Sequence, residues 1–356
     1  TKLPPPATEL IAPPIMAAGK VFTLDAEATV SAHDARTGAE LWRVFMRPND
    51  NKRDREGFGG GLAYADGKLY MTSGYRLVAQ IDASTGRVGW RARTEQPIHG
   101  APTVYAGRVM TVALDNTLLT FDAATGAPGW TYQALSESAR ILAASSPAVS
   151  GDTVVAAFGS GELVALRTAN GNDLWNEALS RASRTSALSE IRDIAGRPVI
   201  YQGDVFAISH SGVFAATDLR TGQARWSLPM VGITTPLPAG DVVYAVGADG
   251  KLICVSRDSG QIYWVHDMNT GYVAKKKGGF WGIGAHTVAK PLWTNPILVN
   301  NRLIIASSAG QLEALNAKTG AVERKVEIGA PVLIGPIAAG AMIYLVTDNA
   351  QLIALR

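Results

Sequence analysis

The side chains that could carry chemistry are scattered along the 356-residue chain. No two of the five histidines have the spacing of metal ligands within one element. They are His33, His99, His210, His266 and His286. Ligands from separate units could still meet at a shared centre, so a metal site stays an alternative. The plainer interpretation places these histidines on strands and polar surfaces.

The glycine cluster GFGGG at 57–61 resembles a phosphate-binding loop only superficially. It lacks the Gly-Lys-Ser/Thr continuation that brings a lysine and a hydroxyl to the phosphates. The chain also lacks the Gly-x-Ser-x-Gly turn of a nucleophilic serine. Several aspartates recur at the same point of a repeated turn, which favours turn capping over paired catalytic carboxylates. We predict a flexible loop that enters a strand at 57–61, and we predict no catalytic residue, no metal and no cofactor.

Cys254 is the only cysteine and lies in the apolar run LICV, which predicts a buried and unreactive thiol. The 33 basic and 30 acidic residues leave a net charge of +3, which does not predict binding to nucleic acid or anionic lipid. One charge run, Lys275–Lys277, stands beside Phe280 and Trp281. It predicts a solvated loop, with partner binding as the alternative.

A repeated turn organises the sequence. Seven stretches follow one pattern: DARTGAELW, DASTGRVGW, DAATGAPGW, RTANGNDLW, DLRTGQARW, SRDSGQIYW and NAKTGAVER. In six of them a tryptophan follows the glycine by four residues, at Trp42, Trp90, Trp130, Trp175, Trp226 and Trp264, whereas Arg324 takes that place in the seventh. Thr-Gly between two strand-like runs predicts a hairpin in which glycine adopts a positive φ. We expect the tryptophan in the next strand to pack as a wedge between neighbouring units.

A second turn precedes each repeat, and there are eight of these: AAGK, ADGK, YAGR, VSGD, YQGD, PAGD, VNNR and AAGA. Each unit therefore consists of four antiparallel strands, which is typical of a propeller blade. The chain stops where an eighth Thr-Gly turn would fall. We predict an all-β, eight-bladed β-propeller that forms one domain over residues 1–356. The N-terminal segment TKLPPPATELIAPP would supply the missing strand of the last blade and close the ring.

Three long connections, at 47–61, 179–197 and 268–293, are the candidates for function. No run of 18 apolar residues predicts a transmembrane helix, and TKLPPPATEL lacks the pattern of a signal peptide. Since Thr1 is not an initiator methionine, we expect the sequence to be that of a mature or a trimmed chain, with any targeting information in residues ahead of it.

The pattern Ala-x-Asp-x-x-Thr-Gly-x-x-x-Trp resembles the repeat of the quinoprotein-type, or PQQ-like, β-propeller family over essentially the whole chain. Within that family, an isolated propeller of this length is similar to the propeller lipoproteins of the outer-membrane β-barrel assembly (BAM) machinery. The resemblance implies a non-enzymatic scaffold at the periplasmic face of the bacterial outer membrane, monomeric by itself and anchored by a lipid outside this sequence. The implied partners are the periplasmic POTRA domains of BamA, the barrel-forming subunit. Unfolded outer-membrane protein clients are a second hypothesis, because exposed strand edges could accept an extended chain.

The same resemblance implies two partner-contact segments ahead of strand-opening prolines. The family's Leu-x-Leu-Arg corresponds to residues 139–142 before Pro147, where one apolar position is kept and the arginine is lost. The family's Asp-Val-Asp corresponds to residues 193–195 before Pro198, where only the first acid is kept. The implied partner-binding residues are Arg140, Ile141, Leu142, Arg192, Asp193 and Arg197. Each charged member taken alone fits a solvated loop charge equally well.

Two alternatives remain within the family. A quinone-dependent dehydrogenase would call for a longer chain, a disulfide between adjacent cysteines and a calcium site with a catalytic aspartate, and one cysteine cannot form that disulfide. A ligand-sensing propeller would be expected to carry a linker or a transmembrane segment, and the sequence has neither.

Overall fold

The structure, a computed structural model, describes residues 12–47, 59–135, 145–179, 194, 196–272, 276–277, 286–287, 289–349 and 351–356. These residues form strands and turns and contain no helix. The strands build eight consecutive antiparallel sheets, seven with four strands and the last with three among the described residues. Each sheet uses one continuous stretch of sequence, as a propeller blade does. The predicted eight-bladed β-propeller is confirmed.

The blades follow the chain in order. Blades 1 and 2 contain β1 (Ile15–Ala17), β2 (Lys20–Leu24), β3 (Thr29–Asp34), β4 (Glu40–Phe45), β5 (Gly60–Ala65), β6 (Lys68–Ser73), β7 (Leu77–Asp82) and β8 (Val88–Arg93). Blades 3 and 4 contain β9 (Thr103–Tyr105), β10 (Arg108–Val112), β11 (Thr117–Asp122), β12 (Pro128–Gln133), β13 (Ala148–Ser150), β14 (Thr153–Ala157), β15 (Glu162–Arg167) and β16 (Asp173–Ala178).

The second half repeats this arrangement. Blades 5 and 6 contain β17 (Val199–Tyr201), β18 (Asp204–Ile208), β19 (Val213–Asp218), β20 (Ala224–Pro229), β21 (Leu237–Ala239), β22 (Val242–Val246), β23 (Lys251–Ser256) and β24 (Ile262–Asp267). A two-stranded sheet of β25 (Lys276–Lys277) and β26 (His286–Thr287) lies in the connection to blade 7. Blades 7 and 8 contain β27 (Ile297–Val299), β28 (Arg302–Ala306), β29 (Gln311–Asn316), β30 (Val322–Glu327), β31 (Ile337–Ala339), β32 (Met342–Val346) and β33 (Leu352–Leu355).

Asp34 caps the Thr-Gly turn of blade 1. Its Oδ1 accepts hydrogen bonds from the backbone N–H groups of Arg36 and Thr37, at 3.0 and 2.7 Å, and from the Thr37 hydroxyl at 2.8 Å. These bonds to Thr37 hold the pKa of the Asp34 carboxyl below its usual value. The same arrangement recurs at Asp82, Asp122 and Asp218. The predicted capping role of the repeated aspartate is confirmed.

Each repeat tryptophan packs on the turn glycine of the following blade. A β-carbon added at Gly171 would lie 2.5 Å from the Trp130 ring, and at Gly126 it would lie 2.6 Å from Trp90. The remaining pairs are Trp42 with Gly86, Trp175 with Gly222, Trp226 with Gly260 and Trp264 with Gly320. The turn glycine thus supplies the positive φ and also leaves room for the indole. The predicted wedge is confirmed.

Hydrogen bonds hold five of the six indoles in place. Nε1–H donates to a turn carbonyl of the next blade in the pairs Trp42 to Ala83, Trp90 to Ala123, Trp130 to Thr168, Trp175 to Leu219 and Trp226 to Arg257. Trp264 differs, because its Nε1 has no partner among the described residues. The equivalent carbonyl, that of Ala317, accepts a hydrogen bond from the Tyr244 hydroxyl at 3.0 Å.

Blade 8 packs against blade 1. Val21 of blade 1 shares an apolar cluster with Tyr344, Val346 and Leu352 of blade 8, and the Tyr344 hydroxyl donates to the Ala35 carbonyl at 3.4 Å. The N-terminal strand predicted to complete blade 8 lies largely in residues 1–11, outside the described residues.

The glycine cluster at 57–61 is packed where the structure describes it. Gly60 and Gly61 begin β5, so the cluster enters a strand, as predicted. A β-carbon at Gly60 would lie 2.3 Å from the Thr72 carbonyl oxygen, and one at Gly61 would lie 2.4 Å from Cβ of Ala101 in blade 3. These glycines therefore allow close approach of neighbouring strands around the centre of the ring.

Candidate functional site

One face of the disc carries the connections between blades. In each antiparallel blade, the first and third turns lie at one edge, whereas the second turn and the link to the next blade lie at the opposite edge. We call the face that carries the second turns and the links between blades the connection face. The described ends of both predicted contact segments lie on it.

The first contact segment is bounded by Leu135 and Ser145. The Leu135 N–H donates to Oε2 of Glu162 at 3.1 Å, and its carbonyl accepts from Nδ2 of Asn116 at 2.6 Å. The Leu135 side chain is 67% exposed. This end of the segment therefore has a fixed backbone and presents an apolar side chain. Arg140, Ile141 and Leu142 lie outside the described residues.

The second contact segment is bounded by two buried residues, Leu179 and Ile194. Both belong to the apolar core between blades 4 and 5. The Leu179 carbonyl accepts a hydrogen bond from Oγ of Ser211 at 2.9 Å. Arg192 and Asp193 lie outside the described residues, two positions and one position ahead of the buried Ile194.

A hydrogen bond joins the bases of the two segments. Oγ of the buried Ser145 donates to the carbonyl of Gly196 at 3.2 Å, across 51 positions of sequence. Beside Leu135, a cleft of about 730 Å³ opens between blades 3 and 4, and its lining includes Asp115 and Glu162. The structure therefore brings the ends of the two predicted contact segments together and places an acidic cleft next to the first.

The centre of the ring holds a cavity of about 650 Å³. Residues from all eight blades line it: Pro13, Pro14, Ile15, Gly60, Leu62, His99, Gly100, Ala101, Ser146, Gly196, Arg197, Ile233, Thr234, Thr235, Leu292, Trp293, Thr294, Asn295, Val332 and Leu333. Many of them come from the short segments that lead into the first strand of a blade. The cavity is therefore the central channel where it opens at the connection face.

Arg197 is the only predicted contact residue that the structure describes, and it lines this channel. Water reaches the side chain, but surrounding protein atoms partly desolvate the guanidinium and lower the pKa of Arg197. The polar channel residues Ser146, Thr235 and Asn295 were not predicted. The signal for them was available, because each directly precedes a strand-opening proline, as Arg197 does.

The other candidate groups do not converge. Among the four histidines whose side chains are described, only His99 lines the channel. The described residues contain no group of three or more His, Cys, Asp or Glu side chains that could hold a metal ion. Cys254 is buried, as predicted, and burial raises the pKa of its thiol to about 11. Across the described ranges, no helix is long and apolar enough to span a membrane.

The ring of Thr-Gly turns and interblade tryptophans defines a quinoprotein-type β-propeller. The chain belongs to the family described as outer membrane protein assembly factor BamB, which matches residues 26–266 and 277–356. The BamB of Moranella endobia is 23% identical over 340 residues, which cover 94% of this chain and 82% of that protein.

Solved structures share the fold. The crystal structure of BamB from Moraxella catarrhalis superposes with a TM-score of 0.82 at 17% identity, covering 99% of this chain and 98% of that one. A europium-containing methanol dehydrogenase gives a TM-score of 0.77 at 14% identity and covers 98% of this chain and 84% of that one. The propeller is therefore common to assembly factors and to enzymes, so the fold alone does not decide the function.

Proposed function

We propose that this protein is a non-enzymatic scaffold subunit of the outer-membrane β-barrel assembly complex. It would form one domain, bind the periplasmic POTRA domains of BamA at the periplasmic face of the outer membrane, and assist the folding and insertion of outer-membrane proteins. The contact surface would consist of Ile141 and Leu142 as an apolar centre, with Arg140, Arg192 and Asp193 as its polar rim.

The hydrogen bond between Ser145 and Gly196 is the observation that carries this proposal. It ties together the ends of two segments that are distant in sequence, so both can contribute to one surface. The buried Leu179 and Ile194 hold the second segment at its base. A surface on fixed supports loses less conformational entropy on binding than one on free loops.

Binding to purified BamA POTRA domains tests the surface. Because buried apolar groups dominate interface energies, Ile141→Ala with Leu142→Ala should cost about 2 kcal/mol or more, or roughly 30-fold in Kd. Arg140→Ala and Asp193→Ala should each cost under about 1 kcal/mol, as charges at an interface rim do.

A matched control is the pair Ile262→Ala and Val265→Ala on the outer strand of blade 6, where both residues are about half exposed. This pair should bind as wild type does. If Ile141→Ala with Leu142→Ala also bound like wild type, the surface would be assigned wrongly.

The scaffold role is supported over enzyme activity by the cysteine content, because Cys254 alone cannot provide the adjacent-cysteine disulfide of the dehydrogenases that this repeat resembles. Dye reduction in the presence of pyrroloquinoline quinone, calcium and alcohol or sugar substrates tests this directly. We expect no turnover above the protein-free rate, and substrate-dependent reduction would contradict the scaffold proposal.

A role in holding unfolded clients is favoured by one edge strand. In β24 of blade 6, Ile262, Tyr263 and Val265 are 48%, 56% and 51% exposed. An extended client could add to such an edge by backbone hydrogen bonding. A photo-crosslinker at Tyr263 should capture an unfolded outer-membrane protein more strongly than one at Arg91 on the outer strand of blade 2. Equal capture at both positions would remove this role.

A further inference from the structure

The central channel contains an arc of hydrogen-bond donors at equivalent positions of four adjacent blades. Ser146, Arg197, Thr235 and Asn295 each directly precede the proline that opens the first strand of blades 4 to 7, and all four line the cavity. Repetition of the blade therefore places Arg197 between the hydroxyl residues of its two neighbours. All four side chains can donate hydrogen bonds to an anion.

The arc has no balancing negative charge in the described structure. No aspartate or glutamate lines the cavity among the described residues, and Arg197 forms no hydrogen bond or ion pair with another described residue. Desolvation is the only cause that lowers the pKa of Arg197. A partly desolvated guanidinium with no carboxylate partner among the described residues favours an anionic ligand, and its planar fork suits a carboxylate.

Apolar side chains surround the opening of the same cavity. Three of these side chains are Ile233, Leu292 and Leu333, in the links into blades 6, 7 and 8. Each lies three or four residues before the proline that opens the first strand of its blade. They are 47%, 59% and 54% exposed. Because the chain passes from these residues into the channel-lining strands, the apolar rim lies nearer the connection face than the donor arc does.

We propose that the channel binds the carboxyl terminus of a polypeptide whose last residues are apolar. The carboxylate would reach Arg197 and its hydroxyl neighbours, and the apolar side chains behind it would cover Ile233, Leu292 and Leu333. A small molecule usually has most of its surface enclosed by its site. Here the apolar rim is half exposed at the opening, which suits a chain that continues out of the cavity. This site is separate from the interblade contact segments, and neither requires the other.

Fluorescence anisotropy with the full chain tests the proposal. The probe is an N-terminally labelled hexapeptide, Gly-Ser-Gly-Val-Leu-Leu, with a free carboxyl terminus, and its matched control is the same peptide with a carboxyl-terminal amide. We expect the amide to bind at least about tenfold more weakly, since it lacks the charge that Arg197 recognises. Arg197→Gln should weaken binding of the free acid by a similar factor and leave binding of the amide unchanged.

Two further variants separate the channel from general charge effects. Arg220→Gln removes the same charge from an exposed residue at the opposite edge of blade 5 and should bind like wild type. Leu333→Ser at the rim should weaken the peptide about fivefold, since a partly exposed leucine contributes only part of its burial energy. Thermal unfolding confirms that each variant is folded before it is titrated.

Three results would overturn the proposal. One is equal affinity for the acid and the amide, and another is unchanged binding by Arg197→Gln. The third is that 4-methylpentanoate and the unlabelled peptide displace the labelled peptide at the same concentration. This result would assign the cavity to a small acid. The BamA binding assay uses a different ligand and different variants, so either proposal can be refuted while the other stands.

Discussion

Adding one methyl group at Gly171 should measure how much a tryptophan wedge contributes to the fold. Gly171 has a φ of 75°, where alanine costs about 1–2 kcal/mol. The new methyl would lie 2.5 Å from Trp130, and making room for it costs about 1–3 kcal/mol by overpacking. Displacing the indole also endangers its bond to the Thr168 carbonyl, worth about 1 kcal/mol. We expect Gly171→Ala to lower the free energy of unfolding by about 3–6 kcal/mol.

Blade 4 supplies its own control at Gly151. This residue also has a positive φ, 59°, but an added β-carbon would have no atom within 4 Å. Gly151→Ala should therefore cost only the backbone strain, about 1–2 kcal/mol. Urea denaturation gives both values if the dependence on denaturant is the same in each variant.

A double-mutant cycle completes the test. In a Trp130→Ala background, Gly171→Ala should cost no more than Gly151→Ala does, because the ring that it would strike has been removed. Equal costs for Gly171→Ala and Gly151→Ala in the wild-type background would refute the steric account of the repeat.

Two other predictions concern the blade joints. His33 is 6% exposed and lies at the joint between blades 1 and 8. Burial is the largest effect on the pKa of His33 and lowers it; Glu40 raises this pKa, and Arg43 lowers it further. Because the unfolded state binds the proton more tightly, stability should fall as pH drops below about 6.5, and the unfolding midpoint of His33→Gln should change less between pH 7.5 and 5. Trp226→Phe should cost about 1 kcal/mol more than Trp264→Phe in urea denaturation, because only Trp226 loses an indole hydrogen bond.

The repeat made the blade predictable because its turns are local. The Thr-Gly hairpin and its aspartate cap depend on residues within five positions of one another, so the sequence contains the whole cause. The packing partner of each tryptophan was harder to predict from the sequence, since Trp130 packs on a glycine 41 positions later. The two residues recur together in the repeat, but only the curvature of the ring shows that the contact crosses to the next blade.

The channel residues Ser146, Thr235 and Asn295 were not predicted for a similar reason. Arg197 and Thr235 are close because each begins a blade, although 38 positions separate them in the sequence. Aligning the residues before the strand-opening prolines would have placed both at the centre of the disc. The family resemblance implies Arg197 as a partner contact, and that role stays a prediction.

The tryptophan contacts all point the same way along the chain, from one blade to the turn of the next. During synthesis, each blade therefore exposes its indole until the next blade has formed and covers it. Assembly of the ring should proceed from the first blade towards the last. Arg324 of β30 takes the place that a tryptophan has in blades 1 to 6, so the series is interrupted at the seam between blades 7 and 8. That seam lacks an indole wedge, and under load or heat the ring should open there first.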